Sequence, residues 1–304
     1  MLLPPLGFLA LCSGIINARA GYVLLAPGVA LIVLARLYSL VDVFRLPASE
    51  LRRVSTVWVV SFLVLANACT IGAFAYVSEN VARAYRVSAF AMEPTLGRAH
   101  ILVSLNAFRE RAPKRGQLAL LRDRKEPERL EERRVLGLPG DEIELGDHEL
   151  KINGWTVPHC TVAERLELLE GDKDSMLMIT HGSLELEFLG DATYFVYHNE
   201  QLRALGAKPR YVAPGEVLAL GDNRHQSDAT LFFEDHDGDV PLENLVAEPV
   251  FTWLPFTPEH EVDWPRVNTR LDEPHLPKAL ASLEPALKAC LAKRPSQTEP
   301  PPAK

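Results

Sequence analysis

The sequence predicts N-terminal transmembrane helices followed by a mostly β, barrel-like domain. Three observations carry this. Residues 54–78 contain no Asp, Glu, Lys or Arg. From residue 97 onward, short apolar–polar alternations are separated by Gly, Asn and Asp turn signals, the pattern of an all-β sandwich or barrel. Charge is also unevenly divided: residues 1–77 hold five arginines against Asp42 and Glu50, a balance of +3, which leaves −11 for residues 78–304 out of a total of −8.

The run 54–78 is long enough to cross a hydrocarbon core of about 30 Å as a helix. Asn67 and Thr70 are tolerable there because their polar groups can bond within the helix or to a neighbour. A second apolar run covers Gly21–Ala35, and a third covers Leu2–Ala18, broken by Pro4 and Pro5. Each is short alone, so the pair reads as a hairpin or re-entrant element. A cleaved signal peptide is disfavoured because no positively charged side chain precedes the first run. The connecting segment 36–53 carries Arg36, Arg45, Arg52 and Arg53, which the positive-inside rule keeps cytoplasmic. This predicts a multi-pass protein of the cytoplasmic (inner) membrane, with the bulk of the chain on the extracytoplasmic, periplasmic side.

In the second half, His100–Phe108 alternates loosely and Gln117–Leu121 is short and apolar. Asp141–Val157 reads as a hairpin with turn signals at Gly146-Asp147 and Asn153-Gly154. Leu184–His198 alternates around Gly190-Asp191, and Glu216–Leu220 and Leu245–Trp253 complete the strands. Thr161–Leu169 differs, with helical spacing through Val162, Leu166 and Leu169. Lys278–Lys293 has an apolar stripe suited to a short helix, although Pro285 argues against a regular one. Residues 295–304 hold four prolines and are expected to be disordered.

An acidic soluble part argues against nucleic acid as a partner, because that binding rests on phosphate neutralisation. No Cys-x-x-Cys or His-Glu-x-x-His spacing occurs, so neither a metal site nor any cofactor is predicted. Asp235-His236-Asp237-Gly238-Asp239 hints at a calcium loop, but Val240 and Val246 stand where an EF-hand needs Gly and Glu. Cys160 and Cys290 are the only cysteines of the soluble part. An exported domain permits a disulfide, but their separation of 130 positions and the tail location of Cys290 weigh against one.

Three short motifs follow the span in order. They are Ser88-Ala89-Phe90-Ala91-Met92-Glu93-Pro94-Thr95-Leu96, Arg133-Arg134-Val135-Leu136-Gly137-Leu138-Pro139-Gly140-Asp141, and Gly221-Asp222-Asn223-Arg224-His225-Gln226-Ser227. Together they resemble the boxes of the type I signal peptidase (leader peptidase) family, over roughly residues 54–155 and 211–255. The resemblance implies a fold of two β-sheets around a cleft, and a role in signal-peptide processing during protein export. It implies substrate-cleft residues at Ala89, Phe90, Met92 and Pro94. It implies structural motif residues at Gly137, Pro139, Gly140, Asp141, Gly221, Asp222, Asn223, Arg224 and Ser227. Residues of about 159–212 fit the family least and suggest a variable insertion. The domain plan is then 1–53 (apolar segments and basic loop), 54–78 (span), 79–270 (β domain) and 271–304 (a partly disordered tail).

The family's chemistry is a serine endopeptidase dyad: a hydroxyl attacks the scissile carbonyl while a neutral lysine takes its proton. The resemblance puts the nucleophile at Ala91, which has no oxygen, and the base at Arg133, whose guanidinium stays protonated. Ala89 also lacks the hydroxyl that many members bring to the oxyanion hole. Loss of a dyad member typically reduces rate by about 10⁴- to 10⁶-fold. No catalytic residue is therefore intact. Ser88 is on the wrong phase to replace the nucleophile, and Lys114 and Lys125 are the nearest alternative bases. Arg133 at the cleft floor is expected to seek a carboxylate, with Asp222 and Asp228 as candidates. The sequence thus predicts a non-proteolytic pseudo-peptidase in the lipid bilayer. Its partners would be signal peptides of exported preproteins, or an active signal peptidase. The alternative is an active signal peptidase with non-standard catalytic residues.

Overall fold

The computed structural model describes residues 56–87, 91–97, 99–105, 107–122, 128–146, 148–170, 178–199, 209–224, 239–257 and 261–302. The two N-terminal apolar runs, the basic loop, Ser88–Phe90, Lys125, Ser227, Asp228 and Asp235–Gly238 lie outside the described residues. The chain divides into two units, Met1–Ala82 and Arg83–Lys304.

In the first unit, helix α1 spans Thr56–Asn80. Its 25 residues give a length of about 37 Å at 1.5 Å per residue. Near its end, polar side chains bond back to the helix: Ser78 Oγ donates to Ala75 O (2.9 Å) and Asn80 Nδ2 to Tyr76 O (3.0 Å). Val64, Leu65, Ile71 and Tyr76 are exposed. Taken over the side chains that are described, no helix is long and apolar enough to cross a membrane. The structure places a helix over most of the run 54–78.

The second unit is mostly β. Its strands are β1 (Ala82–Val87), β2 (Ala99–Ser104), β3 (Leu118–Arg122), β4 (Leu130–Gly137), β5 (Glu142–Leu145), β6 (Leu150–Ile152), β7 (Trp155–Thr156) and β8 (His159–Glu170). They continue with β9 (Met178–Leu189), β10 (Ala192–Asn199), β11 (Arg210–Tyr211), β12 (Glu216–Leu220), β13 (Asp239–Pro241), β14 (Leu245–Pro255) and β15 (Thr269–Arg270). Among the described residues three sheets form, where the resemblance implies two. An eight-stranded sheet runs β1-β2-β14-β3-β4-β12-β13, with β15 on β14; the others are β10-β9-β8 and β11-β5-β6-β7. The third sheet arises because the predicted 141–157 hairpin acquires β11 on one side and β7 on the other.

The apolar run of β3 shows why its sheet holds two cores. Leu118 and Leu120 pack on one face with Val87, Met92, Leu96, Ile101 and Ala247. Ala119 and Leu121 pack on the other with Val135, Val217, Ala219 and Leu245. A strand covered on both faces reads as a continuous apolar stretch rather than an alternating one.

Thr161–Leu169 is not helical but lies in β8. Its register against β9 shifts between Thr161 and Ala163 and again between Ala163 and Leu166. Each irregularity resets the two-residue alternation. Val162 and Leu166 reach the same core, because a separation of four residues shares one face in a strand as it does in a helix.

The tail is also more ordered than its prolines suggest. A 3₁₀ segment covers Lys278–Leu283 and helix α2 covers Glu284–Leu291, with Pro285 in the first turn, where its missing N–H is harmless. Leu287 and Cys290 pack against Leu184, Leu186, Phe188 and Phe195. Cys290 forms a disulfide with Cys160, with Cα atoms 5.7 Å apart. Beyond α2, Gly190 N donates to Thr298 O (2.8 Å) and Asn153 Nδ2 to Pro301 O (2.8 Å). The described residues to 302 are thus hydrogen-bonded to the β unit.

Candidate functional site

The first motif is a turn tucked into the core. Leu96 N donates to Met92 O (2.8 Å), and Arg266 Nη2 reaches from a later segment to Thr95 O (2.8 Å). The Glu93–Pro94 peptide is cis. Met92 is fully buried among Val87, Leu96 and Leu120, and Pro94 is buried. The resemblance assigns both to a substrate cleft; in the structure Met92 lies in the core and Pro94 in the buried turn. Ala89 and Phe90 lie outside the described residues.

The third motif lies against this turn. Asn223 N donates to Ala91 O (2.9 Å), while Tyr197 N donates to Asp222 O (2.9 Å) and Arg224 N to Tyr197 O (3.0 Å). Residues 221–224 are thereby held between the Ala91 turn and β10.

The second motif joins through β4. Arg134 pairs with Asp222 by two parallel bonds, Nε to Oδ1 and Nη2 to Oδ2, each 2.7 Å. Both side chains are essentially sealed from solvent. Arg134 Nη1 also donates to Gly116 O (2.8 Å), and its guanidinium lies 3.8 Å from the Tyr194 ring centre. Arg224 donates to Glu187 (2.9 Å), whose Oε2 also accepts from Tyr194 Oη (2.7 Å). Such buried charges persist because each is paired and hydrogen-bonded.

The end of the motif is a turn. Asp141 N donates to Leu138 O (2.9 Å), and Gly140 has φ +89°, a backbone region that favours glycine, directly after Pro139. Any Cβ at Gly137 would lie 2.9 Å from Val212 Cγ2. Asp141 then accepts two bonds from Arg115 (2.8 and 2.7 Å), one from Leu138 N (2.8 Å) and one from Asn153 Nδ2 (2.9 Å). Burial pushes its carboxyl up, but Arg115, the Leu138 amide and Asn153 outweigh that and hold it below its ordinary value.

The base-equivalent Arg133 does not pair with Asp222. Successive side chains on a strand point to opposite faces. Arg134 takes the face that meets Asp222, and Arg133 takes the other. Arg133 instead donates to Glu131 Oε2 (2.8 Å), its neighbour two residues back on the same face, and to Glu132 O (3.0 Å). The pair is mostly but not fully buried, at 13% and 15% exposure. Sequence reasoning missed Glu131, although the i, i+2 spacing within a strand was legible. Asp228, the other proposed partner, lies outside the described residues. In the β4–β12 ladder Ala219 faces Val135 and Leu220 faces Arg134. The two dyad-equivalent positions thus hold a methyl and an ion-paired guanidinium.

Lys114, the described one of the two alternative bases, is committed elsewhere, as are two further lysines. Lys114 is an exposed partner of Asp191 (3.1 Å), and Lys151 and Lys288 lie on Glu149 and Glu284. None of these three donates to a hydroxyl. Although the sequence offers no metal-ligand spacing, the fold gathers His148, Glu185 and His198 within 4.8 Å.

A mostly β, multi-sheet unit whose three motifs converge on one buried Arg–Asp clamp defines a signal-peptidase-like class of fold. Residues 56–254 match the family model described as signal peptidase, peptidase S26, and the chain belongs to that family. It is similar to signal peptidase I of Rickettsia bellii (29% identical, covering 47% of this chain and 48% of the relative). It is also similar to that of Rickettsia felis (30% identical, 47% and 53%). The chain thus spans about half the length of the curated relatives it matches. Among solved structures, a signal peptidase I from Enterococcus faecalis is 21% identical, covering 45% of this chain and 97% of that one, with a TM-score of 0.25.

Proposed function

We propose that this chain is a membrane-anchored, signal-peptidase-like protein that does not cleave, and that it binds signal peptides or other extended segments, or an active signal peptidase. The observation that carries this reading is the pair of substituted positions. Ala91 presents a methyl where an attacking oxygen is required, and Arg133 is held on Glu131 where a neutral amine is required.

Anchoring is supported by α1, which has no charged residue before Glu79 and leaves its described apolar side chains exposed. The Arg-rich segment 36–53 supports a cytoplasmic side before it, and the disulfide supports an oxidising compartment after it. Binding by strand addition is supported by β1. It is the edge strand of the eight-stranded sheet, largely exposed, and it ends four residues before Ala91.

The test uses the full chain in detergent with a preprotein bearing a cleavable signal. No cleavage is expected, while a photo-reactive residue at the half-buried position Glu93 is expected to crosslink the signal peptide. Specific processing that survives removal of contaminating peptidases would establish the alternative of an active peptidase with unusual chemistry. Absence of any crosslink would defeat the binding half of the proposal.

A further inference from the structure

Three residues far apart in sequence meet beside the buried ionic network. His148 sits in the turn between β5 and β6, Glu185 lies on β9 and His198 on β10. The β9–β10 register sets Val196 opposite Glu185 and His198 opposite Ser183, so Glu185 and His198 share one face as diagonal neighbours. His148 Nδ1 is 3.4 Å from Glu185 Oε1, and His198 Nε2 is 3.7 Å from Glu185 Oε2. The two imidazole centres are 4.9 Å apart with planes tilted by 56°.

These separations exceed the roughly 2.7–3.2 Å of an N–H···O hydrogen bond. The carboxylate is nonetheless buried, and among the described residues its Oε2 has no hydrogen-bond partner. Tetrahedral ligands held about 2.0–2.1 Å from a Zn²⁺ ion stand about 3.4 Å from one another; one donor atom from each of the three residues lies within 4.8 Å of the other two, so a small inward shift of the exposed His148 completes the set. We propose that His148, the Glu185 carboxylate and His198 form a site for a divalent transition metal, with Zn²⁺ the best match.

The donor set selects the class of ion. Two imidazoles and a carboxylate suit zinc and its transition-metal neighbours, whereas calcium and magnesium take oxygen ligands. Access is provided by His148, whose side chain is 54% exposed, so the ion enters from solvent and the fourth position faces water. The ion joins the tip of the β5–β6 hairpin to the β8–β10 sheet. Glu187, two residues along the same face of β9, braces Arg224, so the ion also steadies the segment that carries the third motif.

The test uses the full chain, purified without a polyhistidine tag and stripped with chelator. Zn²⁺ is titrated calorimetrically, and Co²⁺ is followed by its visible absorption. One equivalent per chain is expected. Affinity should fall by at least about tenfold in His148→Ala, since even outer-shell changes at metal sites reduce it about 10- to 100-fold. His148 is exposed, so this variant keeps the fold, and His181→Ala at a separate exposed histidine should bind like the parent. Zn²⁺ should raise the melting temperature of the parent and not that of His148→Ala. Uptake by the parent no greater than by His148→Ala, or equal loss in His181→Ala, overturns the site.

Discussion

Gly221 lies so close to Ala91 that no side chain fits between them: a Cβ on Gly221 would stand 2.3 Å from the Ala91 carbonyl oxygen. That oxygen cannot easily retreat, because it also accepts the Asn223 N–H at 2.9 Å. The glycine of the third motif is therefore required by the turn of the first. Gly221→Ala is expected to lower stability by about 2 kcal/mol or more, the scale of an overpacked core, read as an earlier urea midpoint. Gly97→Ala is the control, because its Cβ would meet only Glu93 Oε1 at 3.6 Å. It should change stability by less than about 0.5 kcal/mol.

The Arg134–Asp222 pair makes a second prediction. Arg134→Met leaves a buried carboxylate without its partner and is expected to destabilise by about 3–5 kcal/mol. Adding Asp222→Leu should recover part of that loss, because the double variant no longer buries an unmatched charge. A double-mutant cycle by chemical denaturation reads both effects; simple additivity would contradict the coupling.

Restoring the dyad residues alone should not restore proteolysis. In Ala91→Ser with Arg133→Lys, the new amine comes to lie beside Glu131, the present partner of Arg133. An adjacent carboxylate favours the protonated ammonium, whereas a general base must be neutral. The double variant is expected to fold and to leave a preprotein uncut. Adding Glu131→Leu removes the opposing charge and is the change on which any regained cleavage should depend. Cleavage by the double variant alone would refute this account of the site.

Glu132 supplies a pH dependence. Burial raises its carboxyl to about 7 from an ordinary 4.5, against the lowering effects of its own backbone hydrogen bond and Arg133. Between those values the folded state holds a proton that the unfolded chain has released. Stability therefore falls as pH rises from about 4.5 and levels off above about 7. The full effect is on the order of 3 kcal/mol. Glu132→Gln should flatten this slope and stabilise the protein at pH 8, measured by denaturation midpoints across pH.

Much of the fold was legible from local chemistry. The 141–157 turns, the apolar stretch of β3 and the alternation through Leu184–His198 all appear as strands, because their residues agree with the pleat and their turns with glycine geometry. The misreadings share one cause. Val162 and Leu166 look helical because a four-residue spacing suits one face of a helix and of a strand alike, and only pairing with β9 decides between them. The tail looks disordered because the disulfide and the hydrogen-bond partners that hold it lie more than a hundred residues away in sequence. The His148–Glu185–His198 cluster is invisible for the same reason, since a hairpin turn and two paired strands assemble it.

The amino-acid order alone determined the family motifs, the glycines and prolines of their turns, and that Ala91 and Arg133 stand at the two positions the resemblance assigns to a hydroxyl and an amine. Those are matters of side-chain identity and need no fold. Which arginine clamps Asp222 was decided only by tertiary structure. Adjacent side chains on a strand leave by opposite faces, and the pairing of β4 with β12 turned Arg134 toward the buried carboxylate and left Arg133 to Glu131.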